Sequence, residues 1–220
     1  MTDEEPFGDG LIIRKIKTSD VDDVLDFICD DFMINEPLTD AVNGKRQDME
    51  QLFKDLIKLG TSEPNFSYIV CSTVDKKIAA LRLTGVLERP KNHEDVPKYD
   101  SYQANEIAKL LGTLENKTWN ILPSTITKLA TWIIISVNKN YLRRGIAQKL
   151  VKYKLNEIKN SGCSGIVTEA TAHNSQKLFA KLGYTVLHEI LHSDWKDKNG
   201  QVIFKCNDAT DRAQLNYISL

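Results

Sequence analysis

The stretch IIISVNKNYLRRGIAQKLV, residues 133–151, decides how the chain is read. It begins in an apolar run, Leu129 to Val137, of the kind that forms a buried strand. A short polar turn follows, and a helical apolar pattern starts at Ile146. Leu142-Arg143-Arg144-Gly145-Ile146-Ala147 spans the junction. The first turn of a helix leaves N–H groups without partners, and the aligned peptide dipoles make that end partly positive. Gly145 and the small Ala147 let a phosphate approach the backbone, while Arg143 and Arg144 add charge. A pyrophosphate suits such a turn; the plainer alternative is a helix start with two solvated arginines. Neither GxxxxGK[ST] nor GxGxxG occurs here, so the turn is not a Walker loop or a dinucleotide fingerprint.

Working downstream, the spacing predicts a helix over 146–159 bearing Ile146, Ala147, Leu150, Val151, Leu155 and Ile158. A strand follows at 164–170, then a helix at 175–182 closed by Gly183. Strands at 184–192 and 201–205 are joined through the turn Asp197-Lys198-Asn199-Gly200. Upstream, a strand at 11–17 precedes a helix capped by Ser19 or Asp20, with Val21, Val24, Leu25, Ile28 and Phe32 at helical spacing. Pro37 stops that helix or bends the chain beyond it, and a second helix at 46–59 has Gly60 placed for its C-terminal cap. Strands at 66–74 and 77–86 form a hairpin through Asp75-Lys76. Residues 88–118, with an amphipathic segment around Ile107, Leu110, Leu111 and Leu114, read as a surface excursion rather than an interdomain linker. The expectation is a single α/β domain over 11–205, a mixed central sheet flanked by helices, with 1–10 and 206–220 as tails.

The 41% apolar content of 220 residues supplies one sizeable core. Twenty-nine basic residues against thirty acidic ones leave a net charge of −1, which excludes electrostatic capture of nucleic acid or an anionic membrane as the organising function. The longest apolar run is interrupted by Thr131 and Ser136 and falls far short of the roughly 20 residues that cross a bilayer. MTDEEPFGDG has no leader pattern, so a cytoplasmic location is expected, with Cys29, Cys71, Cys163 and Cys206 as free thiols. His93, His188 and His192 show no ligand spacing, and no metal is expected.

The junction resembles the [QR]-x-x-G-x-[GA] motif of the GCN5-related N-acetyltransferase (GNAT) superfamily, with Leu142 where Gln or Arg is usual. Lys181-Leu182-Gly183-Tyr184 resembles the superfamily's [KR]-x-G-[FY] helix end, and the element order agrees. The resemblance implies acetyl-CoA as cosubstrate, held by Ile135, Ser136 and Val137 of the strand and by Leu142, Arg143, Arg144, Gly145, Ile146 and Ala147, with Ser175 nearby. The superfamily often places a tyrosine acid four residues before the helix-end glycine; Phe179 stands there and cannot donate a proton.

Acetylating an alkylamine requires a base, because the amine is mostly protonated at neutral pH. Phe32-Met33-Ile34-Asn35-Glu36-Pro37-Leu38 resembles the F-x-x-x-E-P-L segment of the insect-type arylalkylamine N-acetyltransferases, whose glutamate is the catalytic base. Without that resemblance Glu36 reads as a solvated loop acid. Ala170-Thr171-Ala172-His173-Asn174-Ser175 also looks like that family, in which two serines four apart assist catalysis; Ser175 matches the second, and Thr171 replaces the first but keeps a hydroxyl. Ser175 reads equally as a helix cap, and His173 as structural. The implied partner is a small amine such as dopamine, tryptamine or serotonin, acted on by a monomer or weak dimer. A polyamine, amino sugar or amino acid acceptor, or an acyl-CoA-binding protein without turnover, is the alternative.

Overall fold

Eight strands form one sheet in the computed structural model, which describes residues 4–89 and 97–220. They are β1 (Glu5–Gly8), β2 (Leu11–Lys15), β3 (Tyr68–Ser72), β4 (Ile78–Glu88), β5 (Lys128–Val137), β6 (Gly165–Ala170), β7 (Thr185–Leu191) and β8 (Arg212–Ser219). The spatial order is β1-β2-β3-β4-β5-β6-β8-β7, antiparallel everywhere except between β5 and β6. The helices are α1 (Val21–Phe27), α2 (Met33–Asn35), α3 (Pro37–Ala41), α4 (Arg46–Thr61), α5 (Tyr102–Glu115), α6 (Thr118–Ile121), α7 (Ile146–Lys152), α8 (Leu155–Asn160) and α9 (His173–Lys181). One sheet face packs its apolar side chains under α1, α4 and α5, the other under α7, α8 and α9. No described helix is long and apolar enough to cross a membrane.

Several expectations need correction. The helix expected to cap at Gly60 runs through it to Thr61, and Gly60 instead packs closely against the Leu83 side chain of β4. The polar 88–118 segment is no mere surface excursion: α5 buries Ala104, Ile107, Leu110 and Leu114 in the main core. Pro90 and His93 lie outside the described residues. The strand expected at 201–205 is reduced to the single bridge Lys196↔Val202. The last strand is instead β8, in a segment expected to be a tail, and the other expected tail contains β1. β8 has the period-two pattern of a strand, with Ala213 and Leu215 buried, and it lies between β6 and β7.

The helix expected over 146–159 is broken, and the cause lies on another strand. Lys154 takes a left-handed φ of 51° between α7 and α8. Arg82 of β4 is fully buried, and its guanidinium donates to Leu150 O (2.6 Å), Tyr153 O (2.9 Å) and Phe66 O (3.1 Å). It thus takes up carbonyls at the C-terminal end of α7 that a continuing helix would have used. The rings of Trp132 and Tyr68 flank it at 4.5 and 5.2 Å. Burial pulls the guanidinium down to about 10, so it stays charged at neutral pH. Arg82→Met removes the donor from the Tyr153 and Phe66 carbonyls and one of two from the Leu150 carbonyl, and is expected to cost about 3 kcal/mol, read as a lower urea midpoint at unchanged m.

Candidate active site

β5 and β6 pair at Ala130↔Ile166 and Thr131↔Val167 and then part. The Thr168 hydroxyl still donates to Trp132 O at 3.0 Å, but no strand pairing continues. On the opposite side β5 keeps its ladder with β4 up to Val137, interrupted by a bulge at Ile133. A bulge bends its own strand, and a wedge opens between the two central strands. Ile135, Ser136 and Val137 therefore border the wedge with backbone groups that β6 does not engage. An extended, amide-bearing chain can pair with such an edge.

The turn Lys139–Tyr141 leads from β5 into the junction. Arg143 (φ 63°) and Gly145 (φ 73°) both take left-handed backbone, and a Cβ built on Gly145 would meet nothing within 4 Å. The glycine thus leaves open space over the start of α7, which the buried Ile146 anchors. Leu142, Arg143 and Arg144 are exposed, and Arg144 stacks on Tyr141 at 5.0 Å. Ala147 is half-buried. A shallow depression lined by Gly145, Gln148, Lys149 and Lys152 adjoins the turn. The residues present suit an anionic phosphate chain.

Glu36 follows a helical path that includes a π-helical turn at Ile28–Phe32. Its own backbone is extended, and Pro37 opens α3 at the first helical position, where a proline loses nothing. Glu36 is therefore the N-cap of α3. Its Oε2 accepts from Thr39 N–H (2.6 Å) and Thr39 Oγ1 (2.9 Å), and its Oε1 accepts from Thr171 Oγ1 (2.9 Å). The carboxyl is buried, and desolvation raises its pKa against the pull of those hydrogen bonds, Thr39 N–H first among them. A carboxyl held this way suits proton transfer.

Thr171, just past β6, is thus brought to Glu36 across the domain, and Ser175 is not. The Ser175 hydroxyl donates to Ala172 O (2.7 Å) and receives Ala172 N–H (3.3 Å), closing the first turn of α9. His173 N–H is held by Asp208 at 2.8 Å. Phe179 is buried against Tyr184, ring centres 4.9 Å apart.

Sequence reasoning missed two contributors, Thr39 and Asp31, and the buried carboxyl of Glu169. Thr39 orients Glu36, and the E-P-L-T order of an acidic cap before proline was the available signal. Asp31 accepts from Asn138 Nδ2 (2.7 Å) and Lys139 N–H (3.3 Å), tying the first helical path to the end of β5. Burial raises its pKa despite that backbone bond. Glu169 lies on β6, two residues before Thr171; no local pattern marks it or Asp31.

Residues 88–184 match the family model described as "Acetyltransferase (GNAT) family". That segment of the chain is similar to the GNAT acetyltransferases. The matched span contains the wedge, the glycine turn, Thr171, Ser175 and Phe179, whereas Glu36 lies outside it. The GNAT fold extends over almost the whole chain. Arylalkylamine N-acetyltransferase 2 from Aedes aegypti superposes with a TM-score of 0.83 at 24% identity, covering 96% of this chain and 99% of that one. A Drosophila melanogaster polyamine N-acetyltransferase that forms N-acetylagmatine gives 0.80 at 16% identity, covering 96% and 100%. The C-terminal condensation domain of Ebony, solved with β-alanyl-dopamine, gives 0.75 at 16%, covering 96% and 99%. At these identities the likeness is one of fold.

Proposed function

We propose that this GNAT acetyltransferase moves the acetyl group of acetyl-CoA to a small primary amine, an arylalkylamine, with Glu36 as general base. The observation that supports it best is the Glu36–Thr171 hydrogen bond of 2.9 Å, which joins a buried carboxyl to the strand end beside the wedge. In this reading Ile135–Val137 pair with the amide-bearing arm of the cosubstrate, and Leu142–Ala147 cradle its pyrophosphate. Glu36 takes a proton from the bound amine, directly or through water, and the nitrogen attacks the thioester carbonyl carbon. Free β5 N–H groups stabilise the oxyanion. Collapse restores the carbonyl, breaks the C–S bond and releases the thiolate; the new amide nitrogen loses its remaining extra proton to solvent, and the proton on Glu36 also passes to solvent. A thiol pKa near 8.5 lets that thiolate leave without the acid that Phe179 cannot supply. Thr171 assists through its bond to Glu36, and Ser175 through the turn at Ala172 that it closes.

The test is a panel of amines with acetyl-CoA, following release of free thiol. Tryptamine or dopamine is expected to exceed spermidine in kcat/KM. The opposite order would replace the arylalkylamine by a polyamine. Tight acetyl-CoA binding with no turnover of any amine would favour an acyl-CoA-binding role.

A further inference from the structure

We infer that Glu169 determines acceptor specificity by hydrogen bonding a hydroxyl at the far end of the amine, the phenol of an arylalkylamine. The inference rests on the reading of Glu36 as base. Along β6, Ile166 and Ala170 pack with Phe179 on one face, while Val167 packs with Leu110, Leu114 and Leu215 on the other. Alternation puts Glu169 and Thr171 on the Val167 side. Thr171 reaches Glu36, so Glu169 lies one pleat away, about 7 Å along the chain.

Glu169 Oε1 is closed off from solvent and has no hydrogen-bond partner. The residue nevertheless keeps partial exposure while protein surrounds it, which is how a side chain lining a narrow recess behaves. A buried acceptor without a partner is costly in a folded protein unless something supplies a donor. Burial, and then the charge of Glu115, push its carboxyl up to about 8, so the neutral acid predominates at pH 7. A neutral acid is matched by a group that both donates and accepts, and a hydroxyl does both. A second ammonium group would instead require Glu169 to ionise in the recess. One pleat between Thr171 and Glu169, about 7 Å, is of the order of one ring with an ethyl chain.

The test measures kcat/KM for phenethylamine, tyramine and 1,5-diaminopentane with wild type, Glu169→Gln and Glu169→Leu, and acetyl-CoA affinity by calorimetry for each. Tyramine is expected to beat phenethylamine about tenfold in the wild type, the worth of one well-made hydrogen bond. Gln keeps the preference because an amide both donates and accepts. Leu abolishes it by losing tyramine turnover alone, and its intact phenethylamine turnover shows that it is folded. Equal use of tyramine and phenethylamine by the wild type overturns the inference without any variant, and leaves the Glu36 chemistry standing. So does a tyramine preference that survives in Leu, or diamine turnover that Gln removes. Acetyl-CoA binding without turnover of any amine would instead bring down the proposed function itself.

Discussion

Glu36→Gln is expected to lower kcat by about 10²–10⁴-fold near neutral pH, the usual worth of a general base. The amide fits the same cradle. Its oxygen can accept from Thr39 as the carboxylate does, and its NH₂ can face Thr171, whose hydroxyl turns to accept. Acetyl-CoA affinity, read by calorimetry, stays unchanged. Because burial raises the Glu36 pKa, the wild-type rate climbs with pH through a limb set above the ordinary carboxylate range. The mutant lacks that limb and is partly rescued at high pH, where more amine is already neutral. Stability moves the other way. Between the unfolded carboxyl pKa and the raised folded one, the folded state holds a proton that the unfolded state has lost, so wild-type stability falls as pH rises. Glu36→Gln escapes that loss and melts higher at neutral pH. Near-wild-type turnover in the mutant would refute the assigned role and turn attention to a water chain.

Gly145→Glu is expected to abolish acetyl-CoA binding in calorimetry while leaving a folded protein. Nothing lies within 4 Å of the added Cβ, so the fold bears only the left-handed strain at φ 73°, about 1–3 kcal/mol. The carboxylate, however, would stand over the start of α7, where the proposed pyrophosphate brings its own negative charge. Gly145→Ala separates bulk from charge: it keeps measurable affinity, weakened by the strained backbone and the narrower approach. A Gly145→Glu variant that binds normally would remove the pyrophosphate from this turn.

Local signals carried far in this chain. The apolar run of 129–137, the Gly145 turn and the helix end at Gly183 are short-range patterns, and the elements they imply are present in β5, α7 and α9. What escaped depends on distant contacts. No helical periodicity reveals that Arg82, far upstream, interrupts the helix after Lys152 by taking its carbonyls. Gly60 looks like a cap in isolation and is a packing residue only once Leu83 is beneath it. β8 is a short strand with its own alternation, but its place between β6 and β7 has no sequence signature. The site divides similarly. Glu36 and Thr171 were legible one at a time, but their bond joins residues far apart in the chain, and Glu169 has no meaning until β6 is set beside α5.

The place of β8 bears on the order in which the molecule can be made. β6 and β7 are not sheet neighbours: β7 joins the sheet only through β8, and β6 has β5 on one side and β8 on the other. A ribosome must therefore release the chain to about Ser219 before β6 gains its second partner along Gly165–Ala170. Until then the nascent polypeptide can build β1 to β5 and the glycine turn, but the strand that carries Glu169 and leads to Thr171 has one free edge. On the proposed assignment, the cosubstrate side can form during translation, while the strand leading to Thr171 waits for β8.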